Sequence, residues 1–212
     1  MIRIIYLQLA FMLTFVCSAA FASSKYLSNG FSISDRTFVF NKVTKEGKCA
    51  SAVIYPNIYG GEEEEIDSVN QTVKDFAENY DFCKIQGMDH TTYELREGSA
   101  DYFSVKWITK DSKQVPLMIN SLNFAKEDGR LLSLEEILSP LAKNFMPEFV
   151  KLSENHIAAD TTWDQFLAKL EQGYIRFYIS NSKWYIVFNP HRGINRSIVE
   201  KEIPNYLLKS ES

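Results

Sequence analysis

Histidine and cysteine are scarce in this chain, three of each among 212 residues. His90, His156 and His191 stand far apart with no ligand spacing, so the residues assemble no zinc-type donor set and no metal or other cofactor is expected. There is no Gly-x-Ser-x-Gly. Ser197 follows His191 closely, but nearness in sequence does not make a nucleophile and its base. With 27 acidic residues some carboxylate pair always exists, so a pair such as Glu135-Glu136 does not by itself mark a glycosidase. No catalytic residue is assigned. Basic runs are missing too. The net charge is -4, and without a basic block nucleic acid is not an expected partner. No repeat and no low-complexity linker divides the chain.

What is present begins with an export pattern. Met1-Ile-Arg3 is a short positive start, Ile4 to Val16 is apolar apart from Gln8 and Thr14, and Ala20-Phe21-Ala22 is an A-x-A cleavage site. Residues 1–22 therefore read as a signal peptide and 23–212 as a single exported domain. The other readings are a membrane anchor, for which the apolar run is short, and lipidation at Cys17, where bulky Phe15 and Val16 replace the small residues that processing prefers. Cleavage removes Arg3 and takes the net charge from -4 to -5. The expected location is periplasmic or secreted, with no membrane attachment after cleavage. In that oxidising setting Cys49 and Cys83 read first as a disulfide, with free thiols as the alternative. The closed loop would contribute about 3–4 kcal/mol by loop entropy.

The patterning predicts an α+β fold: an antiparallel β-sheet with helices packed mainly on one side. Phe31–Phe40 and Cys49–Tyr55 read as strands, the second ended by Pro56, and Asn57–Gly61 as a loop. Glu62–Tyr80 reads as a helix, since Ile66, Val69, Val73, Phe76 and Tyr80 recur at spacings of three and four. Its run Glu62–Glu65 is either a solvated helix start favoured by the dipole or an acidic docking patch. His90–Arg96 and Asp101–Thr109 follow as strands, with Phe103, Val105 and Trp107 inward. Val115–Ala125 is another, with Leu117, Ile119 and Leu122 on one face after a local irregularity. Ser133/Glu136 and Thr162/Gln165 are capping boxes. Ser139-Pro140 restarts a helix that Pro147 divides, and Gly173 closes the last helix.

Tyr174–Ser180 and Trp184–Asn189 form the densest aromatic stretch, a hairpin turning at Asn181-Ser182-Lys183. Ile175, Phe177 and Ile179 point to the core. Tyr174, Arg176, Tyr178 and Tyr185 lie on the opposite face. Tyrosine and arginine suit interfaces and sugar stacking, so these four, with His191 and Arg192 in the following loop as an anion contact, are the candidate binding residues. The competing reading covers that face, and makes the tyrosines ordinary cross-strand pairs and the loop a solvated turn. A last strand spans Ile198–Ile203.

The order of elements, with Tyr55-Pro56, Asn123-Phe124, Asp128-Gly129-Arg130, Trp184–Asn189 and Ile203-Pro204, is similar to the RsiV-like extracytoplasmic domain family of unknown function. That family is found in a lysozyme-sensing anti-sigma factor and beside a peptidoglycan deacetylase domain. The resemblance spans about residues 48–209. Asp111-Ser-Lys-Gln-Val-Pro116 stands where the family carries a Gly-Gly-Ala-His-like stretch. The resemblance implies an α+β envelope domain and, as partner, a lysozyme-like protein or a cell-wall glycan. The expectation is a non-catalytic binding domain; the alternative is a hydrolase acting on peptidoglycan fragments.

Overall fold

The computed structural model describes residues 25–26, 32–44, 47–60, 63–85, 87–98, 100–190 and 197–209. The signal segment 1–22 and the pair His191-Arg192 lie outside them. The architecture is α+β, with nine described strands in two sheets. The first sheet runs in chain order: β1 (Lys25–Tyr26), β2 (Ser32–Thr44), β3 (Gly47–Tyr59), β4 (His90–Glu97), β5 (Tyr102–Lys110) and β6 (Pro116–Ala125). The second comprises β7 (Ile175–Ser180), β8 (Lys183–Phe188) and β9 (Val199–Glu202). Neighbours pair antiparallel except β3 and β4, which run parallel through Ala52↔His90 and Val53↔Thr91. The helix α1 (Glu63–Asn79) connects them, one βαβ unit among hairpins.

Each sheet carries its helices on one face. On the first, Val69, Val73 and Ala77 of α1 are buried against Val53, Phe103, Val105, Trp107 and Phe124, with Ile66, Phe76 and Tyr80 packed beside them. Phe103, Val105 and Trp107 thus point inward as their alternation requires. On the second, Ile175, Phe177, Ile179, Trp184, Ile186 and Phe188 face α2 (Leu134–Ile137), α3 (Met146–Leu152) and α4 (Trp163–Glu171) through Leu134, Ile137, Phe149 and Phe166. The other face of the second sheet lies against the first, β7 packing on β4, β5 and β6. The order of layers is helix, sheet, sheet, helices.

Local chemistry explains most boundaries. Both capping boxes form, at Ser133/Glu136 and Thr162/Gln165. Gly173 takes φ 85° after α4, where a side chain would be strained. Asn181 and Ser182 both have positive φ, the condition for a two-residue hairpin turn between β7 and β8. Pro147 sits in the first turn of α3, directly after the 3₁₀ segment Ala142–Phe145, so the chain is divided there as expected. Ser139-Pro140 starts no α-helix; Ser139 only bends the chain, its carbonyl accepting from Ala142 N at 2.8 Å.

Two strands differ from the sequence pattern. Pro56 does not end β3, which runs on to Tyr59. The backbone of Ile54 and Ile58 is turned away from β2, toward the Trp107 indole and the Asn70 side chain. Pro56 shares that parity, so its missing N–H removes nothing from the β2–β3 ladder. In β6, Ile119 and Leu122 point to opposite faces: Ile119 packs with Tyr178 and Val187, Leu122 with the α1 core. Both are apolar because both faces are covered. The register shifts where Thr109 pairs Met118 and Lys110 pairs Pro116, so the extra residue, Leu117, lies on β6 before Ile119.

Cys49 and Cys83 are bonded, Cα–Cα 5.9 Å, across the expected 34 positions. The bridge pins the segment after α1 to β3. Among the described residues no helix is long and apolar enough to cross a membrane.

Candidate binding site

The face that carries Arg176 and Tyr178 is covered, and by the first sheet rather than by helices. Tyr178 is 4% exposed. Its ring stacks on Tyr185 at 5.2 Å, and the Lys106 ammonium sits 4.3 Å above it. Lys106 also donates to Glu200 Oε2 at 2.7 Å. Burial foremost, then the hydrogen bond to Glu200, drives the Tyr178 phenol well above its ordinary pKa. Arg176 spends its guanidinium internally, Nε on Asn120 Oδ1 at 3.2 Å and Nη1 on the Leu170 carbonyl at 2.7 Å, and burial lowers its pKa. Tyr174 and Tyr185 are half-buried at the margins. Of the two readings of this face, the covered one holds at Arg176 and Tyr178, which are therefore not free to bind a ligand. The physical reason is that β7 is amphipathic toward two partners, an apolar helix layer and a polar sheet.

Polar side chains stitch that joint. Ile179 N donates to Ser104 Oγ (2.9 Å), Ser104 Oγ to Asn123 Oδ1 (2.6 Å), and Asn123 Nδ2 to the Phe177 carbonyl (2.8 Å). Ser121 Oγ donates to the same carbonyl at 2.6 Å. Asn189 accepts from Ile119 N and donates to Ile119 O, both at 2.8 Å, as a strand residue would. His156 is buried, with its ring nitrogens 2.7 Å from the carbonyls of Ser153 and Ser197, and ties the end of α3 to the approach of β9. It serves packing.

An open site lies elsewhere, between the β2–β3 hairpin and the first half of α1. A groove of about 810 Å³ has Arg36, Tyr55, Asn57 and Tyr59 on the strand side and Asp67, Gln71 and Lys74 on the helix side. Side chains at alternate strand positions put Tyr55, Asn57 and Tyr59 on the face that α1 overlies. Tyr59 is 43% exposed, its hydroxyl accepting from Ser34 Oγ at 3.0 Å and from Arg36 Nη2 at 3.4 Å. Those contacts, Ser34 first, lower the phenol pKa. Tyr55 is buried and donates to Glu78 Oε1 at 3.3 Å; burial, then Glu78, raises its pKa. The groove walls are held at two points. Asn70 of α1 accepts from Ile58 N and donates to Ile58 O, both at 2.8 Å, and the disulfide fixes the far end of the helix segment. Of the acidic run at the start of α1, Glu64 is solvent-exposed and Glu65 half-buried, which either reading of the run allows.

Sequence reasoning missed this site because it took Asn57–Gly61 for a loop. The usable signal was the recurrence Tyr55, Asn57, Tyr59 at period two, together with Asp67, Asn70, Gln71 and Lys74 on the polar flank of an amphipathic helix. The groove offers stacking surface, amides and two cations. Among its described lining residues Asp67 is the one carboxylate. No protein-family model and no curated protein matches the chain.

Proposed function

We propose that the chain is a non-catalytic, exported binding domain of the cell envelope that recognises a lysozyme-like hydrolase or a peptidoglycan-related ligand. The observation that carries the reading is the groove beside Tyr59, Arg36 and Lys74, whose strand and helix walls are joined by the Asn70–Ile58 hydrogen bonds. The disulfide and the A-x-A segment support export, and the RsiV-like order of elements supports the choice of partner. Calorimetric titration with lysozyme and with soluble peptidoglycan fragments tests it. Saturable binding of one of them is expected, weakened about tenfold or more by Arg36→Ala or Tyr59→Ala with the unfolding midpoint unchanged. Absence of binding to both ligands removes the proposal. Tyr178→Ala and Arg176→Ala, by contrast, act on stability.

A further inference from the structure

Of the strands that present a backbone edge with no described strand beside it along part of their length, β3 and β6 have theirs closed by side chains. On β3, Asn70 occupies the N–H and C=O of Ile58, Trp107 Nε1 donates to Ile54 O at 3.2 Å, and Pro56 has no N–H to offer. On β6, Asn189 occupies both groups of Ile119. The outer edge of β2 lacks such closure among the described residues. The β2–β3 ladder is unbroken over thirteen pairs, from Ser32↔Tyr59 to Thr44↔Gly47. Since Ile54 and Ile58 face away from β2, the hydrogen-bonded positions of this ladder are the even residues of β2. The backbone groups of Thr37, Val39, Asn41 and Val43 then point outward. Among the described residues β1 meets Ser32 and Ile33. With cleavage before Ser23, as proposed, continuing the register Lys25↔Ile33 would set the new N-terminus opposite Asp35, short of Thr37. Val39, 69% exposed, is the most exposed large apolar side chain described, and it stands in the middle of this edge. Of the usual devices against pairing, no proline and no bulge interrupts Arg36–Thr44, whose charged residues are Arg36 and Lys42.

We propose that β2 pairs antiparallel with β2 of a second copy, joining two first sheets about a two-fold axis at Phe40. Thr37 then lies opposite Val43 and Val39 opposite Asn41, exchanging backbone hydrogen bonds. Centring on Val39 instead would set Arg36 opposite Lys42, a like-charge pair that disfavours that register. The two-fold closes the assembly, because each copy presents the same β2 edge to the other. The interface is an extension of the sheet and leaves the second sheet free.

Sedimentation velocity from low micromolar to submillimolar protein, with amide hydrogen exchange at both ends of the range, tests this on the chain that starts at Ser23. Expected are a monomer-to-dimer shift, exchange at Thr37, Val39 and Asn41 that slows as the dimer forms, and unchanged exchange at Phe38 and Phe40, which already bond β3. Val39→Lys places a charge near the axis at an exposed position and is expected to raise the dimer dissociation constant by about tenfold or more with the fold intact. A monomer throughout overturns the proposal. So does a dimer that leaves the three outward amides unaffected or that Val39→Lys does not weaken. Slow exchange at those amides in the monomer would mean another segment covers the edge, which also overturns it.

Discussion

Glu136 shows how one residue carries local structure and a pH response together. Its carboxylate accepts from Ser133 N at 2.7 Å while its own N–H donates to Ser133 Oγ at 3.3 Å, closing the capping box that starts α2. Arg130 Nη1 donates to the other oxygen. The Ser133 N–H foremost, then Arg130, holds the carboxyl below its ordinary value of 4.5. A depressed folded pKa means the added stability is complete above the unfolded pKa and disappears as pH falls through the folded one. Glu136→Gln keeps the capping geometry and removes only the charge. It is therefore expected to be less stable than the parent at neutral pH, with the gap closing as pH drops below 4.5, read from urea midpoints across a pH series. The effect is small, since the site is solvent-screened. A gap that stays constant down to strongly acidic pH would show that the charge is not its source.

Elements in this fold end, and are kept apart, by side chains that imitate backbone. Asn70 and Asn189 each fill the place of a missing strand neighbour, on β3 and β6. Replacing Asn70 by Leu leaves the Ile58 N–H and C=O without partners and is expected to cost about 1–3 kcal/mol in chemical denaturation. Gln71→Leu, one position along on the exposed side, should stay within about 0.5 kcal/mol. Equal costs for the two would rule out the clamp. Neither asparagine was legible in the sequence, because an amide at position 70 reads only as the polar side of a helix until the strand it meets is known. What was legible is what local rules decide: both capping boxes, the α1 stripe from Ile66 to Tyr80, the inward set of Phe103, Val105 and Trp107, and Gly173. Pro56 misled because its cost depends on which way its N–H would point, a property of the pairing partner and not of proline itself.

The molecule as a whole is two sheets back to back, and that placement separates the two kinds of tyrosine. Alternation along β7 correctly divided Ile175, Phe177 and Ile179 from Arg176 and Tyr178, yet it could not say whether the second set met water or another sheet. The deciding signal was in β5 and β6, where Ser104, Lys106, Ser121 and Asn123 are polar residues on strands buried on both faces. Lys106 is the costly member of that joint: its side chain is 6% exposed, and the paired Glu200 is 34% exposed. Removing the carboxylate strands a buried ammonium beneath Tyr178, whereas removing the lysine leaves a glutamate that can turn to water. Glu200→Gln is accordingly expected to destabilise by about 3 kcal/mol and Lys106→Met by clearly less. The double variant should recover most of the Glu200→Gln loss, measured as a coupling energy in a double-mutant cycle. If Lys106→Met costs as much as Glu200→Gln, the joint depends on the cation itself, stacked on Tyr178, and not on neutralising it.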